Sequence, residues 1–155
     1  MKLTTLAILG LLISVLNPVS SQAADPEDIK QLLTTQKCSE CDLSNADLSG
    51  VDLGGAVLEG ADLSGADLYG AKLKGANLIQ ADLTSANLVG ADLFQADLQE
   101  ANLAQADLSF ANLIGTNLRG SQLTNVEMRG TSLERARLCS TILPDGSTAN
   151  PDCAL

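Results

Sequence analysis

Two groups of side chains in this 155-residue chain have the types and spacing to do chemistry. The first is Cys38-Ser39-Glu40-Cys41, a pair of thiols three apart, as in a redox couple or half of a zinc site. The chain has no histidine, and Cys139 and Cys153 do not form a second metal-spaced pair, so neither a zinc centre nor a thioredoxin-like site is completed. The second group is acidic: Asp47, Asp67 and Asp107, whose carboxylates, if a fold brought them into line, would attract a divalent cation or a cationic partner. Calcium asks for six to eight oxygens around one point, more than a row of single carboxylates supplies. Catalysis has less to work with, because there is no imidazole base and no G-x-S-x-G elbow, and a regular face offers no cleft to shift a carboxylate. The expectation is therefore no catalytic residue, no cofactor and no metal.

The elements that must hold these residues begin after residue 23. Lys2, an apolar stretch from Leu3 to Leu16, helix breakers Asn17, Pro18 and Ser20, and small Ser21 and Ala23 together read as a secretory signal cleaved after Ala23. The apolar stretch is shorter than the roughly 20 residues of a membrane span. There is no twin arginine, and no cysteine at the cleavage site to carry a lipid. Removing Lys2 from 9 basic and 19 acidic residues leaves 8 against 19, a formal charge of −11 for the mature chain. Such a product repels nucleic acid and anionic membranes, so no nucleic-acid partner and no stable membrane insertion are expected after cleavage. Four cysteines in an exported chain favour disulfides.

The mature chain repeats every five residues. Leucine recurs from Leu43 through Leu143, broken only by Met128, and the residue two before it is small: always alanine from Ala56 through Ala111. Between them stands mostly Asp or Asn, so the unit is A-(D/N)-L-x-x, with Gly50, Gly55, Gly60, Gly65, Gly70, Gly75 and Gly90 at its last position. A period of five matches neither a helix nor an alternating strand. Ala and Leu, two apart, can point inward along an extended segment while the polar residue points out, and the next two residues turn the chain where glycine tolerates positive φ. Stacked turns would then fill an interior with leucine at strand spacing, each unit depending on its neighbours for burial.

These units resemble the pentapeptide-repeat family, over Cys41 to Asp145 in 21 consecutive copies. The resemblance implies an all-β solenoid: a right-handed quadrilateral β-helix with four pentapeptides per coil, so that positions 20 apart stack. The organisation is then 1–23 signal peptide, 24–40 N-terminal capping helix and lead-in, 41–145 pentapeptide-repeat β-helix, and 146–155 C-terminal cap and tail. The residues themselves place a helix from Pro26 to about Gln36, with Asp25 as N-cap, Glu27 and Asp28 in the first turn, and Ile29, Leu32 and Leu33 as an apolar stripe to cover the first coil. Leu143-Pro144-Asp145-Gly146 breaks the repeat at the other end. The cysteines mark both ends. Three connectivities exist; local pairing, Cys38 with Cys41 and Cys139 with Cys153, is preferred because it staples each cap.

Stacking by 20 sorts the outer surface into columns. Asp47, Asp67, Asn87, Asp107, Glu127 and Asp42, Asp62, Asp82, Asn102, Gln122 carry most of the negative charge, and the other two columns are mixed. Asp and Asn at these positions also suit bonds from nearby backbone N–H groups, which would make the acidity a by-product of the repeat. Phe94 and Ile114 share one outward column between Lys74 and Glu134 and form a candidate partner surface together with Asp47, Asp67 and Asp107. The reading is a non-enzymatic exported structural or protein-binding solenoid, monomer or weak dimer, with an unknown protein partner. The family resemblance implies a periplasm, or a thylakoid lumen if the host is cyanobacterial. Two alternatives stand beside it: an acidic DNA-mimic rod binding a type II topoisomerase, which the resemblance implies and export opposes, and an acidic surface that binds divalent cations weakly.

Overall fold

The computed structural model describes residues 23–150 and 153. The signal-peptide reading falls almost wholly on residues 1–22, outside the described ones. Helix α1 spans Pro26–Thr35. Asp25 opens it by accepting from the Glu27 N–H at 2.9 Å, and Pro26 follows where a missing N–H costs nothing. Gln36 closes it in the left-handed region (φ 55°), its N–H bonded to the Leu32 carbonyl. Leu32 is fully buried and Ile29 packs partly against the core. Leu33, expected in the same stripe, is 54% exposed instead. It lies about 100° around the helix from Leu32, beyond the narrow face that meets the repeats. No helix among the described residues is long and apolar enough to cross a membrane.

From Lys37 on, the chain is a repeat β-helix in which two-residue turns alternate with single bridging residues. Each polar residue of the unit bridges its counterpart 20 residues on, in parallel: Asp47 to Asp67 to Asn87 to Asp107 to Glu127, and likewise in three more columns starting at Asp42, Asp52 and Lys37. Residues 20 apart therefore lie in adjacent layers. Because the chain turns every five residues, the extended part never grows into a long strand. The only named strands among the described residues are β1 (Thr141–Ile142) and β2 (Thr148–Ala149), an antiparallel pair after the last repeats.

Every backbone donor of the interior unit Ala66–Gly70 has a partner, and this explains the motif. In Ala66-Asp67-Leu68-Tyr69-Gly70, the Ala66 N–H closes the preceding turn on the Leu63 carbonyl, and the Asp67 N–H reaches back one layer to the Ala46 carbonyl. Leu68 and Gly70 donate forward to the Asn87 and Val89 carbonyls of the next layer. The remaining N–H, on Tyr69, lies inside the turn and is taken by Asp67 Oδ1 at 3.0 Å. Aspartate or asparagine recurs because its short side-chain oxygen fits that orphan donor.

The leucines and alanines make one continuous interior. Leu43 through Leu123 are each at most 1% exposed. Where the small position becomes hydroxylic late in the chain, Thr116, Ser121 and Thr141 stay buried by donating to the carbonyls of Leu93, Leu118 and Leu118. Their polar atoms thus avoid the cost of unmade bonds. The last turn position is left-handed at Gly70 (φ 61°) as anticipated, but also at eleven residues that are not glycine, Gln80, Ser85, Gln95 and Phe110 among them. These corner side chains point to solvent, so only the backbone penalty of about 1–2 kcal/mol opposes them.

Candidate functional surface

The structure joins Cys38 to Cys41 and Cys139 to Cys153, with Cα–Cα distances of 5.3 and 4.8 Å and no free cysteine among the described residues. Cys38 and Cys41 are buried under α1, whose Asp28 Oδ2 accepts from the Asp42 N–H at 2.8 Å and whose Gln31 donates to the Lys37 carbonyl. Asp28, Cys38 and Cys41 bring ligand-type atoms within 4.8 Å of one another. With both sulfurs in a disulfide, no thiolate is there to hold a metal. Two disulfides fit a protein exported to an oxidising compartment.

The acidic column is differently composed from a binding site. Asp47 and Asp67 are adjacent in it, but Asp107 is separated from Asp67 by Asn87, whose amide donates to Asp67 Oδ1 at 2.9 Å. The same device recurs where Asn112 donates to Asp92 and Asn117 to Asp97. An amide between carboxylates replaces repulsion with a hydrogen bond. The carboxylates are also engaged in their own turns. The Ser49 hydroxyl and N–H both donate to Asp47 Oδ1, and these bonds, hydroxyl first, hold Asp47 below the ordinary aspartate range. Ser44, Ser109 and Ser147 likewise lower Asp42, Asp107 and Asp145, the serine side chain being the larger cause each time.

Phe94 and Ile114 stand in adjacent layers of one column, both half-buried, since their neighbours Asp92 and Asn112 bridge. Lys74, one layer before, puts its ammonium 5.2 Å from the Phe94 ring centroid, a cation–π contact that covers part of the ring. The more exposed aromatics lie elsewhere: Tyr69 is 58% and Phe110 69% exposed. Phe110 lies over Gly130, where a β-carbon would come within 2.8 Å of the ring.

One feature escaped the reading of the repeat. All four arginines, Arg119, Arg129, Arg135 and Arg137, fall at the C-terminal end. There Met128, Leu133 and Leu138 are only partly buried, while their counterparts in earlier layers are sealed. The clustering of arginine was visible in the residues alone; the partial exposure was not.

A family model described as "Pentapeptide repeats" matches residues 37–75, 61–99 and 101–139. Among solved structures, the chain is similar to a pentapeptide repeat protein from Nostoc PCC 7120, with 32% identity, 75% of this chain and 97% of that one covered, and a TM-score of 0.60. A pentapeptide repeat protein from Cyanothece 51142 is 28% identical over 74% of this chain and 93% of that chain, with a TM-score of 0.42. One from the Arabidopsis thaliana thylakoid lumen is 31% identical over 77% and 73%, with a TM-score of 0.30. No curated protein matches the chain significantly.

Proposed function

The chain belongs to the pentapeptide-repeat family, and on that premise we propose that it is an exported, non-enzymatic binding module whose partner is another protein. The single observation that carries this is the assignment of the repeating positions. Alanine and leucine fill the interior, and Asp or Asn closes the turn on the next N–H, as Asp67 does for Tyr69. Only the two variable positions of each unit are left to carry recognition, and they are spread over smooth sides, which suits a flat protein surface better than a small molecule.

The finer architecture belongs to the same proposal: a right-handed, four-sided coil, four pentapeptides to a turn, with α1 as the cap of its first coil. Bridges between residues 20 apart support the count of four, and burial of Leu32 against the first repeats supports the cap. The compartment we assign is a periplasm or thylakoid lumen. It rests on the Lys2-to-Ala23 leader pattern and the two disulfides. The acidic columns are part of the scaffold in this reading, because their carboxylates are spent on turns and on asparagine neighbours.

The test is site-specific photo-crosslinking in the exported fraction, with the probe placed in turn at Phe94, Ile114 and Ser64. A discrete protein captured from one face and not from the others is the expected result. Uniform or absent capture from every face would sink the binding reading, and recovery of a type II topoisomerase would replace it with the DNA-mimic one.

A further inference from the structure

We propose that the C-terminal edge of the repeat, residues 126–135, is a docking edge for an extended acidic segment of a partner protein; the inference rests on the binding-module reading above. In earlier layers the forward-pointing donors at these positions are bonded: Leu108 and Phe110 donate to the carbonyls of Glu127 and Arg129, and Gly115 to Glu134. One layer on, among the described residues, the N–H groups of Met128, Gly130, Leu133 and Arg135 find no acceptor and the carbonyls of Val126 and Thr131 receive no donor. The two neighbouring columns of this layer are occupied. Leu123 and Asn125 donate to the Ile142 and Pro144 carbonyls, β1 pairs with β2, and Cys153 is tied to Cys139. The open groups thus form one continuous stretch, and the apolar side chains beside it, Met128 and Leu133, are partly uncovered.

Edges of this kind pair with an added extended segment, whose carbonyls accept from the row of N–H groups while alternate side chains fill the adjoining surface. Charge selects the kind of segment. Residues 25–67 hold ten acids against Lys30 and Lys37, a net of −8, whereas residues 116–150 hold four arginines against Glu127, Glu134 and Asp145, a net of +1. Arg129 and Arg135 flank the open edge with side chains 79% and 80% exposed. Arg129 pairs with Glu127 at 3.1 Å and lies near enough to Asp107 to help lower its carboxyl, and Arg135 pairs with Glu134 at 3.7 Å. Such surface pairs are weak and exchange readily for a partner's carboxylates. A segment alternating acidic and apolar residues would meet the arginines with one set of side chains and Met128 and Leu133 with the other.

The experiment uses the mature chain and two fluorescein-labelled decapeptides, one alternating Glu and Val and one alternating Lys and Val. Amide exchange by NMR in the dilute free chain should be fast at Met128, Gly130, Leu133 and Arg135 and slow at Leu108, Phe110 and Gly115. The Glu–Val peptide should raise its anisotropy on binding and slow exchange at the four edge amides about tenfold, while the Lys–Val peptide does neither. Arg129→Glu combined with Arg135→Glu should abolish binding and leave the melting temperature and the Leu108 protection in place. The proposal fails if the four amides are already protected in the dilute chain, or if the acidic peptide binds the double variant equally well or not at all. Protection that appears only as protein concentration rises would give the edge to a second copy and also overturn it. Failure here with face-specific cross-linking at Phe94 or Ile114 intact would remove this edge while leaving the binding-module reading standing.

Discussion

Leu88→Ala is the sharpest probe of how the interior holds. Leu88 is fully buried, and its neighbour Asn87 bridges Asp67 and Asp107, so the side chain lies between Leu68 and Leu108 in the adjoining layers. Its truncation leaves a cavity walled by repeats above and below that cannot close without moving their turns. A loss of about 3–4 kcal/mol is expected, the middle of the range for buried leucine. With a urea dependence of about 2 kcal/mol per molar, the unfolding midpoint should fall by roughly 1.5–2 M. Leu133→Ala is the internal control. Leu133 is partly exposed and, among the described residues, has a layer on one side only, so its loss should be about 1 kcal/mol and roughly 0.5 M. Urea titrations of both variants followed by far-UV circular dichroism make the comparison. Equal shifts, or a Leu88→Ala loss below about 1 kcal/mol, would refute the claim that stacking neighbours set the cost of each leucine.

Gly70→Ala meets no atom within 4 Å, so its cost should be the left-handed backbone alone, about 1–2 kcal/mol, and Gly70→Asn should recover part of it in the same thermal melts. Replacing Cys139 and Cys153 together by serine should cost about 3 kcal/mol for opening a loop of this length, with amide exchange rising first near the C-terminal strands and last at Leu88. The depressed folded-state pKa values of Asp42, Asp47, Asp107 and Asp145 mean that the unfolded chain binds more protons in mild acid. Their contribution is therefore whole above about pH 4 and is lost as pH falls through the folded values; Ser49→Ala, which removes the hydroxyl and keeps the N–H bond, should raise Asp47 toward the ordinary range in an NMR titration. Millimolar calcium should barely move the melting temperature, and a submicromolar calcium isotherm by calorimetry would overturn the scaffold reading of the acidic columns.

Much of this was legible in the residues because the repeat leaves few choices. A leucine every fifth position, a small residue two before it and Asp or Asn between define inside, outside and turn, and glycine marks the left-handed corner. What stayed hidden depended on context beyond one unit. Gln80 occupies the same corner as Gly70 because its side chain is free to lie along the next layer, where its amide reaches Glu100 at 2.8 Å. Leu33 reads as core by helical spacing, yet whether it is covered depends on how α1 sits on the repeats. The cysteine connectivity stayed open for the same reason: Cys139 and Cys153 are 14 residues apart in sequence and are brought together only by the fold-back of the chain after β1. The open edge at Met128 and Leu133 could not be read from a motif, since both residues fit the repeat like any other.

Bridging by a fixed step of 20 residues makes the pentapeptide a unit of evolutionary editing. Deleting or duplicating five residues keeps every downstream alanine and leucine in its inward phase, so the core accepts the change. Each downstream unit, however, moves to the neighbouring column. Phe94 and Ile114 would travel together onto a column now headed by Asp47 or by Lys37, and the Arg129–Arg135 edge would meet a different set of neighbours. A genetic slip of fifteen nucleotides can thus rearrange the whole surface of the rod without a single substitution. A slip that is not a multiple of five residues would turn downstream aspartates toward the interior unless the odd residues looped out at a corner.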